Sequence, residues 1–177
     1  TETGFISCVP MVFAFGAIGL LSSIIGVAAA NMKEGDDPTK ALNSSTYVTT
    51  ALYAVLTALA TWLFKFEWRF WLASATGLLI GVVIGLTTDY FTDDKKKPVR
   101  NVAKASESGP AFTILSGISH GLLSVLPAMV GVALSALIAY LVSPKGYELF
   151  GISMSAVGML SIVGMIISND AYGPIVD

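Results

Sequence analysis

Two carboxylates, Asp170 and Asp177, stand seven residues apart at the end of a long uncharged stretch. If that stretch is a helix that continues through them, positions i and i+7 lie on nearly the same face, about 10 Å apart. Two side chains at that distance do not share one small cation, but they can hold a larger anion that carries several cations. Carboxylate oxygens suit Mg²⁺, which commonly shares its ligands with substrate phosphates. The simpler interpretation of the spacing is that both acids only mark the end of a helix.

The backbone between these acids is also unusual for a helix. Pro174 removes an N–H that would bond near Asp170, and Gly173 loosens the same turn. Irregular backbone at membrane depth is tolerated where it lines a water-filled cavity. These residues therefore predict a polar, hydrated end for an otherwise apolar helix.

Other polar residues have simpler explanations. His120 has no Cys, Asp or Glu at ligand spacing and is predicted to be a packed or interfacial histidine. Cys8 has no nearby His or acid and is predicted to be an inert core residue. The basic run at 95–97 is typical of a cluster that faces anionic headgroups. Asp36 and Asp37, followed by Pro38, indicate a turn and cap before a helix.

The elements that position these residues follow from composition. Of 177 residues, 54% are apolar and 12% are charged, whereas a soluble domain carries about 25% charged residues. A net charge of −2 gives no reason to expect a nucleic-acid partner. Charged side chains are absent from five long runs, 5–30, 47–64, 70–88, 111–142 and 149–169. Because a charge at mid-membrane is costly, we predict an all-α, polytopic membrane bundle, one membrane domain over 1–177, with five helices at about 5–30, 47–64, 70–88, 111–142 and 149–172.

The connectors predict the orientation of this multi-pass protein. Segments 31–46 and 89–110 share one side and hold seven Lys and Arg, against three on the other side. We therefore place these two loops in the cytosol, with residue 1 outside and residue 177 on the cytosolic side. Aromatic residues at 62–71 are predicted to form a belt at the outer interface. The run at 111–142 is too long for one perpendicular crossing, so it either projects from the bilayer or is kinked at Pro127.

Small residues indicate how the helices pack. Gly77, Gly81 and Gly85 recur at every fourth position, and Gly117 and Gly121 repeat the spacing. Glycine at this spacing lets helix backbones approach closely in lipid.

In these motifs the sequence resembles a known family, the membrane-integral, ion-pumping inorganic pyrophosphatases. The final motif is similar to that family's DAYGPI-x-D, and the loop motifs follow its TEYYT, KPV, ASxTGPA order, although Asp89 stands where the family more often has Glu and Phe112-Thr113 also departs from the pattern. Five segments carry the resemblance: Thr88-Asp89-Tyr90-Phe91-Thr92, Lys97-Pro98-Val99-Arg100, Ala105-Ser106-Glu107-Ser108-Gly109-Pro110-Ala111, Ala156-Val157-Gly158-Met159-Leu160-Ser161 and Asp170-Ala171-Tyr172-Gly173-Pro174-Ile175-Val176-Asp177.

The resemblance implies a function for the parent protein. It implies a homodimeric pump that hydrolyses inorganic diphosphate with Mg²⁺, responds to K⁺ in a subclass, and moves H⁺ or Na⁺ out of the cytosol. A bacterial-type cell membrane fits better than an acidic organelle membrane. The resemblance also implies that the chain corresponds to about the seventh to eleventh membrane helices, and the family's other acidic motifs are not among these residues.

The resemblance also assigns roles. It implies that Asp177 binds Mg²⁺-diphosphate and that Asp170 binds metal or lies on the ion path. It places no catalytic residue in this segment, so the segment alone is expected to be inactive. The alternatives are a secondary transporter subunit and a non-catalytic membrane fragment.

Overall fold

The computed structural model describes residues 2–29 and 38–167, with side chains from 8–28 and 44–167. In chain order the helices are α1 (Glu2–Ala29), α2 (Pro38–Leu63), α3 (Trp68–Thr92), α4 (Lys97–Ser106), α5 (Pro110–Val142) and α6 (Glu148–Leu160). Within the described ranges there is no strand, and five helical segments are long and apolar enough to cross a membrane. The predicted all-α fold with five spans is confirmed.

Two segments predicted as loops contain helix. α2 begins at Pro38, well inside the predicted loop 31–46. Proline fits the first turn of a helix because no intrahelical bond needs its missing N–H there. Asp36 and Asp37, the predicted cap, lie outside the described residues.

The predicted cytosolic loop 89–110 also contains α4, ten residues long, and α3 extends into it as far as Thr92. α4 is short and polar, so counting uncharged runs did not reveal it. Its first turn includes Pro98, which is buried, and its last turn ends in an αR backbone at Glu107. Gly109, with φ at 114°, then turns the chain into α5.

α5 is one helix of 33 residues that contains Pro127. At about 1.5 Å per residue it measures about 50 Å, against a hydrocarbon core of about 30 Å. α5 is therefore longer than a perpendicular crossing requires, as its sequence predicted.

The last span departs from the prediction of continuous helix over 149–172. α6 ends at Leu160, a turn occupies 161–162, and helix resumes over 163–167. Residues 168–172 lie outside the described part of the chain. The span is thus interrupted within its apolar section.

Contacts divide the chain into two compact units, one of residues 1–81 and 135–177 and the other of residues 82–134. The core of the first unit combines apolar side chains with many hydroxyls. Its largest fully buried apolar side chains are Met11, Phe15, Tyr53, Leu78, Met154, Ile162 and Met165. Since lipid offers no hydrogen bonds, buried hydroxyls need partners inside the protein, and among the described residues all except Ser22 Oγ have one.

Those partners fall into two groups. Thr49, Thr57 and Thr61 each donate to the carbonyl four residues earlier in α2. The Tyr53 hydroxyl instead pairs with Ser74 Oγ at 2.9 Å, which joins α2 to α3. The buried polar groups therefore both complete individual helices and connect neighbouring ones.

Candidate functional site

The helix that leads toward the candidate acids is buried along one stripe. Asp170 and Asp177 themselves lie outside the described residues, which end at Ile167. The stripe recurs every three or four positions and consists of Gly151, Met154, Ser155, Gly158, Ile162 and Met165. This spacing is that of one helix face, so α6 and the turns after it are held from one side over their length.

Close backbone contacts with α3 position α6. A Cβ built at Gly77 would overlap the carbonyl of Ser155, and a Cβ built at Gly158 would overlap the carbonyl of Ser74. At Gly81 the nearest neighbour would be Met159 Cγ, at 3.2 Å. Small residues on both helices therefore let the backbones touch. The predicted packing role is confirmed at Gly77 and Gly81.

The other glycines that were predicted to pack make no such close contact among the described residues. Among the described residues, a Cβ at Gly85, Gly117 or Gly121 would meet no heavy atom within 4 Å. Their regular spacing by itself does not identify which residues form a contact.

α5 contacts α6 in a similar way. Ser135 Oγ and Ser155 Oγ lie 2.5 Å apart and share a hydrogen bond. A Cβ at Gly151 would overlap the Ser143 hydroxyl. α6 is thus fixed by hydroxyl and glycine contacts that are too short for larger side chains.

The interruption at 161–162 is held by α1. Ser161 N–H bonds the carbonyl of Gly158 at 3.3 Å, three residues back instead of four. The Ser161 carbonyl accepts the hydroxyl of Ser23 at 2.9 Å. A side chain from another helix therefore satisfies a carbonyl at the break, which is a recognised cause of a kink.

Two glycines make room for this contact. A Cβ at Gly19 would lie 3.1 Å from Ser161 Cβ, and a Cβ at Gly164 would lie 3.1 Å from Ser23 Cβ. The sequence shows that small residues occur in both segments, but it does not show that these residues contact one another.

The connector between α3 and α4 carries most of the predicted basic cluster. Asp93 Oδ1 accepts the backbone N–H of Lys95 at 2.8 Å. This hydrogen bond lowers the pKa of the Asp93 carboxyl, so Asp93 stays ionised at neutral pH beside the exposed Lys95, Lys96 and Lys97. Within the described ranges no three His, Cys, Asp or Glu side chains are grouped to hold a metal.

His120 and Cys8 occupy structural positions. The half-buried His120 ring places Nδ1 2.9 Å from the carbonyl of Ser116, one turn earlier in α5. Cys8 is buried, with 8% of its surface exposed. Both positions agree with the packing roles predicted from the sequence.

The side chains of the predicted aromatic belt are divided between exposed and buried positions. Trp62 and Phe64 are 68% and 67% exposed, as a belt requires. Phe70 is buried, with its ring centroid 4.7 Å from that of Phe150, and Trp71 Nε1 donates to Thr57 Oγ1 at 3.2 Å. The belt interpretation is therefore wrong for Phe70, because that ring packs against the start of α6.

Taken together, these helices define an all-helical, integral membrane protein with an interrupted span leading to two acids. The family model for inorganic H⁺ pyrophosphatase matches residues 4–177. The chain belongs to this family of membrane-bound pyrophosphatases, which confirms the resemblance in its motifs.

Several relatives are named as pyrophosphate-energized pumps. A putative K⁺-stimulated pyrophosphate-energized sodium pump of Clostridium tetani is 38% identical over 91% of this chain and 24% of the relative. A K⁺-insensitive pyrophosphate-energized proton pump of Methanosarcina mazei is 32% identical, over 92% of this chain and 25% of the relative. A K⁺-stimulated sodium pump of Thermotoga maritima is also 32% identical, over 92% and 24%. The chain therefore spans about a quarter of the length of the curated relatives it matches.

Proposed function

We propose that this chain is part of a membrane pump that hydrolyses inorganic diphosphate and uses the energy to move H⁺ or Na⁺ out of the cytosol. The observation that carries the proposal is the family match, which covers nearly every residue. Pyrophosphate-energized sodium pumps and proton pumps are both among the relatives, so either ion remains within the proposal.

Within this pump we assign Asp177 to binding of Mg²⁺-diphosphate and Asp170 to a metal or to the ion path. The donor chemistry fits, because both are carboxylates and Mg²⁺ prefers oxygen ligands. No three-residue metal group occurs among the described residues. Because the chain spans about a quarter of the relatives' length, we propose that the two acids act together with groups in the rest of the parent protein.

The role of this segment is to hold and orient the substrate. When bound, Mg²⁺ neutralises the charge of diphosphate and draws electron density from the phosphorus that water attacks. Asp177 would fix the charged substrate at one position, and Asp170 would supply a second negative charge seven residues earlier in the sequence. The contacts of α6 with α1, α3 and α5 keep the helix leading to both acids in place.

Three further features belong to the proposal. K⁺ stimulates activity if the parent is of the type named in the Clostridium tetani and Thermotoga maritima relatives. The parent forms a homodimer in a bacterial-type cell membrane. The connectors 31–46 and 89–110 face the cytosol, as their basic residues indicate.

The test is Asp177→Ala in the intact protein that contains this segment. We expect Mg²⁺-dependent phosphate release from diphosphate to fall on the order of a hundredfold, because one charged contact to the substrate is lost. Membrane vesicles provide the assay, with the variant's amount in the membrane measured in parallel.

The matched control is Asp94→Ala, which removes an exposed carboxylate from the connector after α3. It should retain nearly full activity. Normal activity of the Asp177→Ala protein would remove the assignment of Asp177, and solute uptake without phosphate release by the wild type would favour the transporter alternative.

A further inference from the structure

A cavity of about 320 Å³ opens at one end of the first compact unit. The first turns of α1, the α2–α3 connector and the α5–α6 connector meet around it. Its lining residues are Cys8, Met11, Lys65, Phe66, Glu67, Phe70, Pro144 and Tyr147. The walls are therefore mainly apolar and aromatic, with one cationic and one anionic side chain.

Lys65 is held in an unusual backbone conformation at this cavity. Phe66 N–H donates to the carbonyl of Thr61 at 3.0 Å, which closes the end of α2 in the manner of a Schellman motif. Lys65 occupies the left-handed position of that motif with φ at 53°, where glycine is the usual residue. Lys65, an exposed cationic residue that lines the cavity in this uncommon backbone conformation, is therefore a candidate for ligand binding.

The position of the cavity matches the polar surface of a bilayer. It lies where α2 ends and where α3 and α6 begin, so it is at the ends of membrane-crossing segments. The exposed rings of Trp62, Phe64 and Trp68 surround the same connector, and exposed aromatic rings favour the level of lipid headgroups. A membrane lipid is therefore a ligand that is available at this depth.

The charges indicate which headgroup fits. The Lys65 ammonium complements a phosphate, and the Glu67 carboxylate complements an amine. Arg69 Nε lies 4.0 Å from Glu67 Oε1, with both side chains more than half exposed, so this contact leaves Glu67 able to bind a further cation. The part-exposed rings of Phe66 and Tyr147 provide apolar surface for the glycerol and the upper acyl chains.

We propose that this cavity binds the headgroup of a phospholipid that carries both a phosphate and a primary amine, as phosphatidylethanolamine does. The phosphate contacts Lys65, the amine contacts Glu67, and the acyl chains leave along the apolar wall. The proposal does not depend on the pump activity, since none of these residues belongs to the candidate diphosphate site.

The test is native mass spectrometry of the intact protein with phosphatidylethanolamine added at increasing concentration. We expect one tightly held lipid per protomer in the wild type, and binding about tenfold weaker in Lys65→Gly and in Glu67→Gln, because each loses one charge-assisted contact. Lys65→Gly is informative because glycine fits the left-handed position, so loss of the lipid is not attributable to misfolding.

Lys145→Ala is the matched control, since Lys145 is exposed and adjoins the cavity wall without lining it. It should retain wild-type binding. Phosphatidylglycerol, which lacks the amine, should bind more weakly, and inorganic phosphate should not displace the lipid. Unchanged binding in both cavity variants, equal loss in Lys145→Ala, equal binding of phosphatidylglycerol, or displacement by inorganic phosphate would each overturn the proposal.

Discussion

Glycine at two positions decides how closely α3 and α6 approach. Gly77 faces the backbone of Ser155, and Gly158 faces the backbone of Ser74. Neither contact leaves space for a methyl group, and neither backbone neighbour is the flexible end of a side chain. The pairing of these helices therefore depends on the absence of two Cβ atoms.

Gly77→Ala tests this close contact between α3 and the backbone of Ser155 directly. The added methyl group overlaps the Ser155 carbonyl, so we expect the free energy of unfolding to fall by roughly 1–3 kcal/mol. Thermal unfolding of the intact protein in detergent measures the effect.

Gly85→Ala is the control, because its Cβ would meet no described atom within 4 Å. It lies in the same helix, where alanine is preferred to glycine by about 1 kcal/mol, so its unfolding temperature should be unchanged or higher. Equal behaviour of the two variants would contradict the close contact.

Among the helices, the interruption that follows α6, at residues 161–162, depends on a partner in α1. A broken span inside a membrane exposes carbonyls that lipid cannot satisfy. The Ser23 hydroxyl satisfies the Ser161 carbonyl, and glycines at 19 and 164 let it come near. The start and direction of the helical segment 163–167 are therefore linked to α1.

Ser23→Ala removes this bond while changing little volume. We expect a loss of about 1 kcal/mol in stability and faster amide hydrogen exchange in peptides that cover 161–167. Hydrogen-exchange mass spectrometry of the intact protein measures the second effect.

Ser153→Ala is the matched control, since Ser153 is exposed and bonds only the carbonyl of Leu149 in its own helix. Exchange at 161–167 should stay at the wild-type rate in this variant. An unchanged rate in Ser23→Ala as well would mean that the Ser23 hydroxyl does not hold the break.

At the scale of the whole molecule, the chain covers about a quarter of each relative discussed above. A diphosphate site needs several charged ligands, and the described residues contain no group of three that could hold a metal. We expect further ligands in other parts of the parent protein, since this chain spans only about a quarter of the relatives.

The purified 177-residue segment should therefore release no phosphate from Mg²⁺-diphosphate, while the intact protein does so under the same conditions. Phosphate release is measured on both at equal molar amounts in the same lipid. Turnover by the segment alone would show that its own residues complete a site.

The number of spans, the helical class and the family all follow from the order of the amino acids. Uncharged runs identify spans because the bilayer acts on each segment separately and makes every charge costly there. The family follows from contiguous motifs, above all the one from Asp170 to Asp177. Both kinds of signal are local, so they can be found without knowing which residues meet.

Which small and polar residues form contacts becomes visible in the three-dimensional arrangement of the helices. Ser23 and Ser161 are 138 positions apart, and Tyr53 and Ser74 are 21 apart. Gly77 touches a neighbour whereas Gly85, in the same sequence pattern, touches none in the described part of the chain. The physical reason is that such contacts depend on how distant helices are placed, because a hydroxyl or a glycine has the same local pattern whether or not a partner lies opposite it.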